Sequence, residues 1–277
     1  MVPSRAICLL IVSIVCLASH SSAACAQNED AVTESVITAA FPDRSISALV
    51  THLARHRPFR RAILLMPGHP GIMRLQSADS PYGMKGNFLV RSRRFWLDEE
   101  TVVLCVDAPS DRWTNFPVFF RSGPRYAEDI RGLIREIGRQ FGDVALAIVG
   151  TSEGSISAYY AARALDRPDV KVIFSSSVFN DSQSSPGLAN ADFDAIKGPM
   201  LWVHHVDDPC PWTPYSEAKR LAGKTRSPLI SVRSADRGRG AACQAFTQHG
   251  YAGVEKETVL AMKAWLIEGL ARDVEKP

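Results

Sequence analysis

The chain has 277 residues, 46% of them hydrophobic and 22% charged, with a formal net charge of +3. That is ample apolar material for one large α/β domain, and it excludes a chain too polar to fold. A charge so near zero, with the arginines scattered, also excludes a basic nucleic-acid-binding surface, so no nucleic-acid partner is expected.

Arg5 is followed by an apolar run from Ala6 to Ala18 and by small and polar residues ending in Ala24-Cys25-Ala26. This pattern predicts a signal peptide over residues 1–26, cut before Gln27, and a single domain over 27–277. The run is short for a bilayer, so no stable membrane span is expected after the leader is removed, and the product is expected to be exported, periplasmic or secreted. Lipidation at Cys25 is the alternative, although Ser22 stands where such sites usually carry leucine. Three cysteines then remain. Cys105 lies in an apolar run and reads as a buried thiol. Cys210 and Cys243 lie in loop-like sequence, where an oxidising compartment lets them pair.

The stretch from Asn28 to Arg61 offers a short helix around Ile46 to Arg55 and a basic run of Arg55, His56, Arg57, Arg60 and Arg61, read as a solvated face. Ala62 to Met66 is a predicted strand. It empties into Pro67-Gly68-His69-Pro70-Gly71, a loop suited to presenting a backbone N–H to developing negative charge. The His69 N–H is the first choice for that donor, because Pro70 has no N–H to give, and Gly71 is the second. The His69 imidazole reads as pocket lining. Asn87 to Leu97 is a helix, and Thr101 to Val106 a strand ending in a turn with Asp107 and Asp111, which cap backbone or line a pocket. Trp113, Phe116, Phe119 and Phe120 form either a pocket wall or core packing. From Pro124, the stripe Ile130, Leu133, Ile134 and Ile137 marks an amphipathic helix closed by Gly142.

Val144 to Gly154 is the stretch around which the rest is organised. A short apolar run, typical of a strand buried on both faces, leads into Gly150-Thr151-Ser152-Glu153-Gly154, and good helix formers follow to Leu165. Strand, G-x-S-x-G and helix in that order predict a sharp turn that exposes the Ser152 hydroxyl. Lys171 to Phe174 is the next strand, with a polar segment from Ser175 to Lys197 leaving room for a small cap at most. Pro199 to Val206 is another strand, delivering Asp207 and Asp208 into a proline-stiffened loop. A helix from Ser216 to Leu221, a strand from Leu229 to Val232, a Gly/Arg-rich loop reaching His249-Gly250 and a helix from Val254 to Leu270 complete the chain. The alternation predicts one doubly wound, mostly parallel sheet with helices on both faces.

The order Ser152, then Asp207 or Asp208, then His249, with the serine on a strand-to-helix elbow, resembles the α/β-hydrolase superfamily from about Ala62 to the C-terminus. The resemblance implies a Ser-His-Asp triad and an acyl-enzyme, a small-molecule ester or amide substrate, and no cofactor. Many members carry His-Gly-x-x-Asp before a proline-containing turn. His204-His205-Val206-Asp207-Asp208 matches this with His205 in place of the glycine, which selects Asp208 and keeps Asp207 as the fallback. His249, before the terminal helix, stands where members present their base, and the oxyanion donors fall to the N–H groups of Glu153 and His69. A Cys210–Cys243 bridge would then tie the acid loop to the base loop. His204 and His205 read as strand residues beside the site, and without a third ligand no metal is expected. Arg91, Arg93, Arg233, Arg237 and Arg239 read as solvated surface. The alternatives are a non-catalytic binding protein of the same fold and a small peptidase or amidase.

Overall fold

The computed structural model describes residues 31–80, 82–181 and 186–276. The expected leader, its cleavage site and Cys25 lie outside them. Among the described residues nine strands form one sheet: β1 (Val32–Ala40), β2 (Ser45–Leu53), β3 (Arg61–Met66), β4 (Thr101–Val106), β5 (Ala145–Ser152), β6 (Lys171–Ser177), β7 (Met200–His205), β8 (Leu229–Ser234) and β9 (Val274–Lys276). Their spatial order is β1-β2-β4-β3-β5-β6-β7-β8-β9. The β1–β2 and β2–β4 pairings are antiparallel, and every pairing from β4–β3 to β8–β9 is parallel.

The α-helices of the described residues are α1 (Phe88–Ser92), α2 (Val118–Arg121), α3 (Pro124–Phe141), α4 (Glu153–Leu165), α5 (Tyr215–Thr225) and α6 (Glu255–Glu268). Alternate residues of the central strands feed two separate cores. Ala62, Leu64 and Met66 of β3 pack with Ile130 and Leu133 of α3, Ile156 of α4 and Leu221 of α5. Ile63 and Leu65 face the other way, toward Leu89 of α1 and Val259 and Met262 of α6. Helices therefore cover both faces of a mostly parallel sheet, which explains why the central strands are apolar throughout.

Residues 46–53 correct the expected helix. Ile46, Leu49, Val50 and Leu53 recur at helical spacing, but the segment is β2, with Ile46, Ala48 and Val50 in one core and Leu49 in the other. Pairing on both sides, Ala48 with Ile37 and Val50 with Leu104, overrides the local pattern. β1 and the short edge strand β9 also escaped the sequence reading. Asp107 proves to be a turn cap, since its buried carboxylate accepts the N–H groups of Met73, Leu75 and Ala108. Cys105 is a buried free thiol, its pKa pushed up to about 12 by burial. Between β6 and β7 the described residues form a loop with one 3₁₀ turn, Phe193–Ala195.

Candidate active site

Three segments at the carboxyl ends of β3, β5 and β7 meet the loop before α6. At the end of β5 the chain reverses into α4 with Ser152 at φ 53° and ψ −130°, a left-handed conformation that β-strands and helices do not use. Glycine is required on either side. A Cβ on Gly150 would strike the Gly154 carbonyl, and one on Gly154 would strike the Met66 carbonyl of the neighbouring strand. The loop after β3 passes as closely, because a Cβ on Gly68 would lie 2.8 Å from the Ser152 Cβ.

That loop holds a cis His69–Pro70 peptide and Gly71 at φ +72°. The His69 imidazole is 77% exposed and its Nδ1 lies 3.3 Å from the Glu153 carboxylate. The hydrogen bond to Glu153 raises the His69 pKa above its ordinary value against partial burial. On the other side of Glu153 stands Arg121, with a side chain only 1% exposed.

Asp208 follows β7. Its Oδ1 accepts the Cys210 N–H at 2.9 Å, and its Oδ2 accepts the Thr213 hydroxyl at 2.8 Å and lies 3.0 Å from His249 Nδ1. Burial alone would raise the carboxyl pKa, but its interactions with His249, the hydrogen bond foremost, outweigh it and hold Asp208 below the usual range. Asp207, one residue earlier, is exposed, and its N–H donates to His205 Nδ1 at 3.1 Å. His249 is therefore joined to Asp208. Its carbonyl accepts the Ser176 hydroxyl at 2.8 Å, its N–H donates to the Thr247 hydroxyl, and Arg91 bonds the carbonyl of the next residue, Gly250.

Cys210 and Cys243 form a disulfide between the acid loop and the segment leading to His249. Ser152, His249, Gly68, His69, Phe88 and Cys243 line one cleft of ≈ 240 Å³. Arg91 and Arg93 are ion-paired with Glu255 and Glu34, and neither they nor Arg233, Arg237 or Arg239 lines this cleft. His204 is fully buried and accepts the Ser177 N–H through Nε2, while His205 lies 3.1 Å from the Ser234 hydroxyl. Among the described residues no group of three or more His, Cys, Asp or Glu side chains could hold a metal ion. No local motif marks Ser176 or Arg121, because their partners lie on distant segments of the chain.

No protein-family model matches the sequence, and no curated protein matches it. Solved structures do resemble the fold. Est1E from Butyrivibrio proteoclasticus is 12% identical with a TM-score of 0.59, over 84% of this chain and 98% of that one. A dienelactone hydrolase from Anabaena variabilis is 14% identical with a TM-score of 0.56, over 85% and 97%. An alpha-beta serine hydrolase homologue from Coxiella burnetii is 17% identical with a TM-score of 0.52, again over 85% and 97%. Sheet order, helices on both faces, the serine elbow and these likenesses agree: this chain has the α/β-hydrolase fold.

Proposed function

We propose that this protein is an exported serine hydrolase that cleaves a small-molecule ester or amide, esters being the preferred class, through an acyl-enzyme on Ser152. The reading rests on one arrangement above all: His249, tied through Nδ1 to the buried Asp208, opens onto the same cleft as the strained Ser152. A serine hydroxyl needs a base, and the base needs a partner that fixes its tautomer and stabilises the imidazolium. With Nδ1 engaged by Asp208, Nε2 is the nitrogen left to take the Ser152 proton. The oxygen of the attacked carbonyl then gains negative charge, which the N–H groups of Glu153, at the start of α4, and of His69 would stabilise. His249 returns the proton to the leaving group, and water activated by the same imidazole releases the acid. Likenesses to a dienelactone hydrolase and to an alpha-beta serine hydrolase homologue support this class of reaction.

Export is part of the same proposal. The leader pattern and the Cys210–Cys243 disulfide support an oxidising compartment. Among the described residues no helix is long and apolar enough to cross a membrane.

The decisive experiment is fluorophosphonate labelling of the purified protein beside turnover of 4-nitrophenyl acetate. Wild type should label at Ser152 and turn over, and Ser152→Ala should do neither while remaining folded. An unlabelled, inactive wild type would instead identify a non-catalytic binding protein, and a panel of ester and amide substrates separates esterase from amidase.

A further inference from the structure

Arg121, the last residue of α2, buries its guanidinium beneath the loop between β3 and α1. Nη1 donates to the Ser157 hydroxyl of α4 at 3.0 Å, and Nη2 donates to the Pro70 carbonyl at 3.1 Å. Nη2 also lies 3.6 Å from the Glu153 carboxylate, and the guanidinium stacks over Phe116 at 4.0 Å. Gly71 makes room for it, since a Cβ there would sit 2.6 Å from Nη2. One planar group thus grips both segments to which the two oxyanion donors belong. Pro70 follows His69 in the first segment, while Glu153 and Ser157 lie on the first turns of the helix after Ser152.

We propose that Arg121 is a positioning residue that sets the distance and angle between the two halves of the oxyanion hole, the His69 N–H and the Glu153 N–H. The inference rests on Ser152 being the nucleophile. A buried cation is a poor way to fill space, because an apolar side chain of similar volume is often as stable or more so. A guanidinium adds what an apolar residue lacks, two donors fixed in one plane that reach separate acceptors together. Such rigidity matters at this place, since donors stabilise a developing oxyanion only when aimed beforehand at the position it will occupy.

Arg121→Met and Arg121→Lys, assayed with 4-nitrophenyl acetate beside wild type and Ser152→Ala, test the proposal. Arg121→Met should lower kcat by roughly 10- to 100-fold with KM nearly unchanged, the pattern of an interaction lost mainly in the transition state. Fluorophosphonate labelling should slow in parallel, and Arg121→Lys, which keeps the charge beside Glu153 but cannot fork, should recover only part of kcat. If Arg121→Met does not fold, Arg121→Lys decides alone: reduced kcat at wild-type KM supports positioning, and wild-type kcat overturns it. A folded Arg121→Met with wild-type kcat, or with a loss confined to KM, also overturns it while leaving the nucleophile assignment standing. Turnover by Ser152→Ala would overturn the nucleophile and the clamp together.

Discussion

Ser176 donates its hydroxyl to the main-chain carbonyl of His249 at 2.8 Å, although the two residues are 73 positions apart. Ser176 stands at φ 40°, in a bulge where β6 slips register beside the end of β5. The serine elbow and the loop carrying the histidine therefore lean on the same irregularity. Ser176→Ala leaves a buried carbonyl without its donor, at a cost of about 1–3 kcal/mol, and keeps the left-handed backbone. Ser176→Gly loses the same bond but relieves roughly 1 kcal/mol of backbone strain. Both variants should lose activity, with the glycine variant melting higher than the alanine variant. Equal melting temperatures would remove the strain argument.

The two glycines of the elbow should not tolerate a methyl group. Gly154→Ala drives a Cβ into the Met66 carbonyl, with backbone on both sides of the clash, and should destabilise by about 3 kcal/mol and abolish activity. Gly138→Ala is the contrasting control. That residue lies inside α3 with nothing within 4 Å of a built Cβ, so alanine should stabilise by about 0.5–1 kcal/mol without touching turnover. Chemical denaturation of the two variants side by side checks both signs.

Reduction should weaken fold and activity together. The disulfide closes a loop of sequence separation 33, for which chain entropy gives on the order of 3–4 kcal/mol. Cys210 also donates its N–H to Asp208, and Cys243 lines the cleft, so loosening the bridge disturbs the acid and the cleft wall at once. A Cys210→Ser, Cys243→Ser double variant should melt lower and lose kcat even without reductant. Thermal melting and turnover with and without dithiothreitol measure the effect; an unchanged melting temperature would contradict it.

His204 should give the fold an acid-sensitive limb. Burial pushes its imidazole from the ordinary value of 6.5 down to about 4, so the native protein keeps it neutral where the unfolded chain protonates it. Its contribution is fully present above pH 6.5 and is lost as pH falls toward 4, a change on the order of 3 kcal/mol. His204→Gln retains an acceptor for the Ser177 N–H and does not titrate. Urea midpoints at pH 7 and pH 4.5 should fall less for the variant than for wild type; parallel losses would show that other groups carry the acid sensitivity.

The elbow was legible because its meaning is local. An apolar strand, two glycines around a serine and a run of helix formers are adjacent in the chain, and steric rules at Gly150 and Gly154 leave few alternatives. Most strands and helices were readable for the same reason. β2 was not, since Ile46, Leu49, Val50 and Leu53 satisfy helical spacing as well, and only pairing with β1 and β4 decides between the two. β9 is three residues long and depends wholly on β8 for its hydrogen bonds.

The sequence by itself determined the alternating strands and helices, the place of Ser152 on its turn, and the chain order of serine, acid and histidine. The likeness of the stretch from His204 to Asp208 to the family pattern already favours Asp208 over Asp207, and tertiary structure brings that carboxylate to His249; tertiary structure alone decided that Ser176 props the histidine's carbonyl and that Arg121 bridges Pro70 and Ser157. The physical reason is one of range. Backbone preference and side-chain periodicity act over a few residues, whereas these hydrogen bonds join groups 36 to 73 positions apart and exist only once the sheet has brought the loops together.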